Sequence, residues 1–281
     1  MNYKITVSYD GTSYKGWQIQ KNATNTIQGK LENILTRLMD NNIPPVNQAH
    51  NSTVIGSDSS GTTAGSSPNT EVSVIGSGRT DAGVHAIGQV ANFHLKPAPN
   101  MTDTQLLDYI NAHLPEDIAV TSIEQVADSF HARYSATSKT YRYRIHVSTI
   151  ADVFNKKYVY TYTDMQLNID AMRQAASLLI GTHDFRSFCG NKHMKKSTIR
   201  TITDITIGEV YHNDRLFEIY IDYTGDGFLQ NMIRIMTGTL IEIGSGRRKP
   251  TDITDIINAG NRETAGYTAP PQGLCLMKVE Y

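Results

Sequence analysis

Residues 76–86 read Gly-Ser-Gly-Arg-Thr-Asp-Ala-Gly-Val-His-Ala and stand between two segments with the pattern of strands, Val72–Ser77 and Ala86–Leu95. Glycines let the backbone turn sharply and approach a ligand closely. Charged side chains on a loop between two strands point into solvent or into a cleft. The stretch therefore predicts two neighbouring strands joined by a loop that can carry chemistry, or an ordinary turn in which the aspartate bonds backbone amides.

This stretch does not match either of two common nucleotide-binding motifs. A dinucleotide fingerprint that starts at Gly76 needs a glycine where Asp81 stands. A phosphate loop that starts at Gly78 reaches Gly83 at the required spacing but lacks the Lys-Ser or Lys-Thr that must follow. What remains is Asp81 between an arginine and a histidine.

Working outward, the first half of the chain predicts the order strand, helix, strand, strand, helix, strand. Alternating apolar residues indicate the strands, and apolar residues at helical spacing indicate the helices, the first with Asn25 or Thr26 as its N-cap. The elements are Tyr3–Tyr9, Ile27–Leu38, Val72–Ser77, Ala86–Leu95, Thr102–Leu114 and Ile118–Val126. This is the split βαβ or ferredoxin-like order.

The second half predicts a further round of the same kind. Its strands are expected at Thr140–Val147, Tyr158–Tyr162, Ile199–Tyr211, Leu216–Tyr223 and Leu274–Tyr281, and its helices at Ile169–Ile180, which Gly181 would stop, and Phe228–Ile243. We therefore expect an α/β (α+β) fold of two ferredoxin-like or RRM-like halves, with antiparallel-rich mixed sheets flanked by helices. The expected domains are residues 1–132, with the aspartate loop, and 133–281.

A polar insertion interrupts the first half. In residues 51–70, 15 of the 20 positions are Ser, Thr, Gly or Asn, with a single charge at Asp58. Such a segment buries too little apolar surface to offset the entropy of ordering it. It predicts a flexible surface loop without chemistry.

Composition narrows the function classes. The chain has 281 residues, 39% of them hydrophobic, and a net charge of −1. No run approaches the roughly 20 apolar residues of a membrane helix, and no apolar signal segment precedes the first strand. The two cysteines, Cys189 and Cys275, form neither a disulfide framework nor a four-ligand zinc set. The expectation is a cytoplasmic protein without a membrane partner.

Basic residues cluster locally although the whole chain is nearly neutral. Three segments are free or almost free of acids: 131–150, 186–200 and 227–250. They are either ordinary solvated faces or the contact surface for a polyanion. In the first segment cations alternate with tyrosines, a pattern that suits RNA but also suits a half-exposed strand with its tyrosines inward.

One cation stands out in the helix predicted at Phe228–Ile243. Arg234 is the only charge in its first three turns, and apolar residues cover almost the whole circumference. A helix of this kind is usually buried, and a buried arginine needs a partner. Arg234 therefore either extends to the surface or meets a carboxylate.

With these motifs together, the chain resembles the tRNA pseudouridine synthase A family. The resemblance covers nearly the whole chain and is most specific in residues 78–86. Supporting matches lie in residues 9–18, 130–133, 141–143, 227–234 and 269–274. It implies a pseudouridine synthase fold, a homodimer with an RNA cleft, and isomerisation of uridine to pseudouridine in the tRNA anticodon stem-loop (positions 38, 39 and 40), without cofactor or metal.

The resemblance also implies residue roles. Asp81 corresponds to the essential aspartate, Arg234 to the basic residue paired with it, and Tyr141 to the tyrosine that stacks on the target uracil. Arg79 corresponds to the residue that fills the space of the flipped base. Further substrate-binding residues are expected at His85, Arg133 and Arg142.

Two other functions stay open at this point. A catalytically silent RNA-binding or chaperone module would use the basic segments alone, including Lys195 and Lys196. Phosphoester hydrolysis at His183-Asp184 is a weaker hypothesis, because no other His/Asp cluster has supporting spacing. We predict no metal site.

Overall fold

A computed structural model describes most of the chain: residues 1–22, 25–40, 71–97, 99–164, 166–191, 196–212 and 215–281. The insertion predicted at 51–70, like Lys192 and Lys195, lies outside the described residues.

The first half forms a four-stranded antiparallel arrangement with two helices. Its strands lie side by side in the order β4-β1-β3-β2. The elements are β1 (Asn2–Tyr9), α1 (Ile27–Met39), β2 (Val74–Gly76), β3 (His85–His94), α2 (Asp103–His113) and β4 (Ile118–Val126). The ferredoxin-like order predicted from the sequence is confirmed.

The second half repeats this order as β10-β5-β9-β8, again with antiparallel neighbours. Its strands are β5 (Ser138–Val147), β6 (Tyr160–Tyr162), β7 (Gly181–Asp184), β8 (Ile199–His212), β9 (Arg215–Gly225) and β10 (Leu274–Glu280). Its helices are α3 (Ile169–Ser177), α4 (Met232–Gly244) and α5 (Asp252–Ala259). The short strands β6 and β7 pair with β5 and β8.

The two halves share one sheet of ten strands in the part of the chain that the structure describes. The last strand, β10, joins them: it runs antiparallel to β5 and pairs in parallel with the start of β3, where Cys275 faces His85 and Leu276 faces Ala86. The fold class is thereby confirmed, whereas the division at residue 132 stays a prediction.

Local signals explain where most elements begin. The side chain of Thr26 accepts a hydrogen bond from the Gly29 amide and caps α1, as one of the two predicted N-caps. The apolar face of α1, including Leu31 and Leu35, is fully buried in the same core as Ile5 of β1. Periodicity alone was therefore sufficient to locate this helix.

Several boundaries differ from the prediction. Helix α3 ends at Ser177, and Gly181, with φ of 117°, opens β7 instead of stopping the helix. Helix α4 begins at Met232 rather than at Phe228, because Asn231 before it adopts a left-handed conformation with φ of 58°. Helix α5 and strand β7 were not predicted. Within the described residues, no helix combines the length and apolar character needed to cross a bilayer.

Candidate active site

The loop that carries Asp81 rests on the segment after β1. The amide of Trp17 donates to the Thr80 carbonyl over 3.1 Å, and the amide of Gly83 donates to the Tyr14 carbonyl over 3.4 Å. The hydroxyls of Tyr9 and Thr80 lie 2.8 Å apart and share a buried hydrogen bond. These contacts fix the backbone on both sides of Asp81.

Two glycines make this close approach possible. Gly16 has φ of 92°, and a Cβ there would lie 2.5 Å from the Thr80 carbonyl oxygen. A Cβ at Gly76 would lie 2.4 Å from Nε1 of the buried Trp17. Larger residues would therefore push the segment and the loop apart.

A second set of polar contacts holds the beginning of the loop. Gln89 on β3 accepts a hydrogen bond from the Ser77 hydroxyl (2.7 Å) and donates to the Gly78 carbonyl (3.0 Å). Lys139 on β5 donates from Nζ to the Ser77 carbonyl over 2.7 Å. Gln89 was not among the predicted site residues; an amide in a buried strand was the signal that could have indicated it.

The structure brings Asp81 and Arg234 together across the two halves. Nη1 of Arg234 lies 3.4 Å from Oδ2 of Asp81, and the two side chains are 15% and 30% exposed. Arg234 is oriented by two further hydrogen bonds, from Nε to the Ala269 carbonyl (2.7 Å) and from Nη1 to Oδ1 of Asn231 (2.9 Å). Asn231 is a site residue that sequence reasoning missed; the amide pair Gln230-Asn231 inside an apolar helix pattern was its signal.

Burial and charge act on Asp81 in opposite directions. Burial raises the pKa of Asp81 above its ordinary value, while the charge and hydrogen bond of Arg234 pull it down. At this separation the attraction is about 5 kcal/mol at a dielectric suited to protein surfaces, before desolvation. The result is a partly buried carboxylate that one guanidinium holds in place, a state that favours reaction with a bound substrate.

Tyr141 is a buried aromatic residue of the second half. Its ring is 6% exposed and meets the ring of Phe228 edge-on, with centroids 5.4 Å apart. Burial raises the pKa of the Tyr141 hydroxyl, and the charge of Asp81 adds to the shift, which places the carboxylate within electrostatic reach of the tyrosine. Asp81 and Arg234 are thus in contact, and Tyr141 lies within electrostatic reach of Asp81, whereas a shared substrate site stays a prediction.

Arg79 and Arg133 lie on the surface of the protein. Arg79, two residues before Asp81, is exposed and donates from Nε to Gln18 over 2.8 Å. Arg133 is exposed and lies 5.9 Å from the centre of the Tyr134 ring. Both are free to meet a large substrate.

Arg142 occupies the other face of β5 from Tyr141, because successive strand residues point to opposite sides. Its guanidinium pairs with both carboxylate oxygens of Asp222, at 2.8 and 2.7 Å, and stacks 4.4 Å from the Tyr220 ring. Its substrate-binding role stays a prediction, and these contacts favour a structural one.

His85 is buried in a separate polar cluster. Its Nδ1 accepts a hydrogen bond from the Gly11 amide (3.0 Å) and lies 3.2 Å from Oδ1 of Asp10. Burial lowers the pKa of His85, and an Nδ1 that accepts a hydrogen bond belongs to a neutral ring. The Tyr158 ring packs against it at 5.1 Å. His85 therefore supports the far end of the loop, and contact with substrate stays a prediction.

The His183-Asp184 pair has structural contacts. Asp184 accepts hydrogen bonds from the Thr198 hydroxyl (2.5 Å) and the Arg186 amide (3.0 Å). Within the described ranges, no three His, Cys, Asp or Glu side chains gather in a way that could hold a metal ion.

Comparison with known proteins agrees with this geometry. A family model described as tRNA pseudouridine synthase matches residues 5–135 and 175–281, which include Asp81 and Arg234. The chain belongs to the tRNA pseudouridine synthase family. It is 43% identical over 280 residues to tRNA pseudouridine synthase A 1 of Clostridium tetani (strain Massachusetts / E88), covering 100% of this chain and 99% of the relative.

Other relatives are similar over the same span. The tRNA pseudouridine synthase A of Bacillus sp. (strain KSM-64) is 40% identical over 280 residues, covering 100% of this chain and 99% of that protein. The one from Exiguobacterium sp. (strain ATCC BAA-1283 / AT1b) is 41% identical over 278 residues, covering 99% and 97%.

Proposed function

We propose that this protein isomerises uridine to pseudouridine in the tRNA anticodon stem-loop, at positions 38, 39 and 40. The observation that carries the proposal is the ion pair of Asp81 and Arg234 beside the buried ring of Tyr141. Full-length similarity to proteins named tRNA pseudouridine synthase A supports tRNA as the substrate. In the same proposal the protein acts in the cytoplasm as a homodimer and needs neither cofactor nor metal.

The chemistry requires a carboxylate at the glycosidic bond. Pseudouridine formation breaks the C1′–N1 bond, turns the uracil, and joins C1′ to C5, after which C5 loses its proton and N1 gains one. Asp81 can attack C1′ or the base to form a covalent adduct, or it can remove the 2′ proton to give a glycal. Either route starts from ionised Asp81, which the guanidinium of Arg234 favours.

The target nucleotide must leave the base stack to reach this pocket. Extrusion costs a few kcal/mol, and stacking on an aromatic ring recovers about 1–3 kcal/mol per base. We assign the stacking to Tyr141, whose ring Phe228 holds edge-on. Arg79 is exposed at the entrance and can fill the space that the base leaves behind.

The substitution Asp81→Asn tests the proposal. The wild-type protein should form pseudouridine in an unmodified tRNA transcript. The variant should form none, because the amide cannot act as nucleophile or base. Its affinity for the tRNA should stay similar to that of the wild type. Pseudouridine mapping by chemical labelling and sequencing, with filter binding in parallel, measures both. An Asp81→Asn protein that still modifies tRNA would refute the assignment.

The same experiment distinguishes the isomerase from the alternative, a catalytically silent RNA-binding module. That function would survive Asp81→Asn unchanged and would be lost on charge reversal at Lys195 and Lys196. The desolvated carboxylate of Asp81 has no use in such a module, so the geometry favours the isomerase.

A further inference from the structure

Lys139 lies beside the loop that carries Asp81, and sheet pairing through Gly225 brings it near the start of β8, where Arg200 stands. Lys139 reaches the loop from β5 with its Nζ 2.7 Å from the Ser77 carbonyl oxygen. Burial, followed by the charges of Arg133 and Arg200, lowers the pKa of Lys139 to about 8. The two arginines come from the turn before β5 and from the start of β8, so the fold brings together charges that are distant in sequence.

The charge of this cluster is unbalanced. In the part of the chain that the structure describes, Asp226 is the carboxylate that acts on Lys139. One of its oxygens already accepts the Thr201 amide over 3.1 Å. Arg133 and Arg200 act on Lys139 as like charges, and an anion that binds among the three relieves this repulsion. The cluster therefore has the electrostatics of an anion site.

Glycines stand next to two of the cations. A Cβ at Gly78 would lie 3.3 Å from Nζ of Lys139, and a Cβ at Gly227 would lie 3.6 Å from Nε of Arg200. Because both residues are glycines, they place no side chain of their own beside these two nitrogens.

An exposed aromatic ring adjoins the cluster. Tyr134 is 76% exposed, and its ring packs on His131 with centroids 4.3 Å apart. His131 is itself held by the amides of Arg133 and Tyr134, which donate to its Nδ1 over 3.1 and 3.3 Å. A ring that is held in place yet open to solvent, beside cations, suits the stacking of an unpaired base.

We propose that Arg133, Lys139 and Arg200 bind one backbone phosphate of the RNA, and that Tyr134 stacks the base of a nucleotide beside it, outside the pocket of the target uridine. This proposal rests on the proposed function, because it takes RNA as the substrate. It adds a second point of attachment for the strand near the extruded nucleotide.

The substitutions Lys139→Gln and Lys139→Arg test the phosphate contact in the Asp81→Asn background, where binding is measured without turnover. The affinity for an unmodified tRNA transcript is measured across a range of KCl concentrations. The slope of log affinity against log salt concentration is negative, and the loss of one phosphate contact makes it shallower by about 0.7 to 0.9. Lys139→Gln should show this loss, and Lys139→Arg should keep the original slope. A weaker affinity with an unchanged slope would mean that Lys139 only supports the loop, and would overturn the site.

Tyr134→Ala tests the stacking contact. It should weaken tRNA binding about 5-fold or more, the lower end of the range for one stacked base, while Tyr134→Phe should bind like the parent protein. Tyr211→Ala is the matched control: this tyrosine is 58% exposed at the far end of β8 from Arg200. Equal binding by Tyr134→Ala and the parent, or an equal loss in Tyr211→Ala, would overturn the stacking role.

These outcomes are distinct from failure of the proposed function. If Asp81→Asn abolishes modification and Lys139→Gln leaves the salt slope unchanged, the isomerase assignment is supported and the phosphate site is refuted. If Asp81→Asn remains active, the isomerase assignment itself falls.

Discussion

At the scale of single residues, Arg234 opposes the effect of burial on the pKa of Asp81. Burial raises the pKa of Asp81, and Arg234 is the group that opposes the shift. An aspartate whose pKa is raised loses its charge as the pH falls through that pKa, so activity that needs the carboxylate is lost on the acid side.

The variant Arg234→Gln should therefore move the acid limb of the pH–kcat profile to higher pH. Without the guanidinium, desolvation acts on Asp81 alone, and the limb should move up by about one pH unit for each 1.4 kcal/mol of attraction that is lost. Single-turnover rates from pH 5 to 9 measure the limb. In Arg234→Lys, which keeps the positive charge, the acid limb should lie between those of the wild type and Arg234→Gln. Superimposable profiles for wild type and Arg234→Gln would contradict the role of Arg234 in keeping Asp81 ionised.

Asn231 offers a second test at the same scale. It has φ of 58° and its Oδ1 accepts a hydrogen bond from Arg234 over 2.9 Å. Asn231→Gly keeps the left-handed backbone accessible, so its stability should stay close to wild type while kcat falls because Arg234 loses an orienting contact. Asn231→Ala should lose kcat and also about 1–2 kcal/mol of stability. Urea unfolding and single-turnover rates separate the two effects, and an unchanged kcat in Asn231→Gly would contradict the positioning role.

At the scale of elements, helix α4 and the segment after α5 are fitted to each other around Arg234. The Ala269 amide donates to the Arg234 carbonyl over 3.0 Å, and Nε of Arg234 donates back to the Ala269 carbonyl over 2.7 Å. A Cβ at Gly238, one turn further along α4, would lie 1.9 Å from the carbonyl oxygen of Tyr267. The glycine lets the helix lie directly against this segment.

Gly238→Ala should consequently destabilise the protein, although alanine in a helix usually stabilises it by about 0.5–1 kcal/mol. We expect a loss of about 1–3 kcal/mol, the usual cost of overpacking, and a lower kcat because Ala269 shifts away from Arg234. Urea unfolding measures the first and single-turnover kinetics the second. Gly29→Ala at a half-buried position of α1 is the control and should not destabilise. If the two variants are equally stable, the backbone at Tyr267 moves to accommodate the added methyl group, which would contradict the prediction.

The elements that periodicity could predict are those with several turns or alternations, such as α1 and β5. Helix α5, with eight residues, spans only about two turns, so few of its apolar positions repeat, and β7 begins at Gly181, the residue that was expected to stop α3. The start of α4 could not be read from apolar spacing, because the left-handed Asn231 interrupts a pattern that continues on both sides. Local sequence carries no signal for such a backbone choice beyond the residue type.

The residues of the candidate site also differ in how far the sequence could predict them. The residues of the aspartate loop are adjacent in sequence, so Arg79 and Asp81 could be predicted as one unit. Arg234 lies 153 positions from Asp81, and only the resemblance to a known family linked them. The roles of Gln89 and Lys139 arise from tertiary contacts with Ser77, which sequence spacing does not reveal.

At the scale of the whole molecule, the site depends on the junction of the two halves. Asp81 belongs to the first half and Arg234 and Tyr141 to the second, and β10 is the strand that pairs with both β3 and β5. Leu276 on β10 is fully buried, opposite Ala86 on one side and Tyr141 on the other. Packing at this point sets the distance between the two parts of the site.

Leu276→Ala should accordingly affect both stability and catalysis, whereas a remote core substitution should affect stability alone. Removing a buried leucine side chain costs about 2–5 kcal/mol, and the control Leu35→Ala, at an equally buried position of α1, should lose a similar amount. Single-turnover rates are compared at a temperature where both variants are fully folded by circular dichroism. A reduced kcat in Leu276→Ala with a near wild-type kcat in Leu35→Ala supports the junction as the element that aligns Asp81 with Arg234 and Tyr141, because the cavity left beside β10 lets the halves shift. Equal rates in the two variants would mean that the loop contacts around Asp81 are sufficient for this alignment.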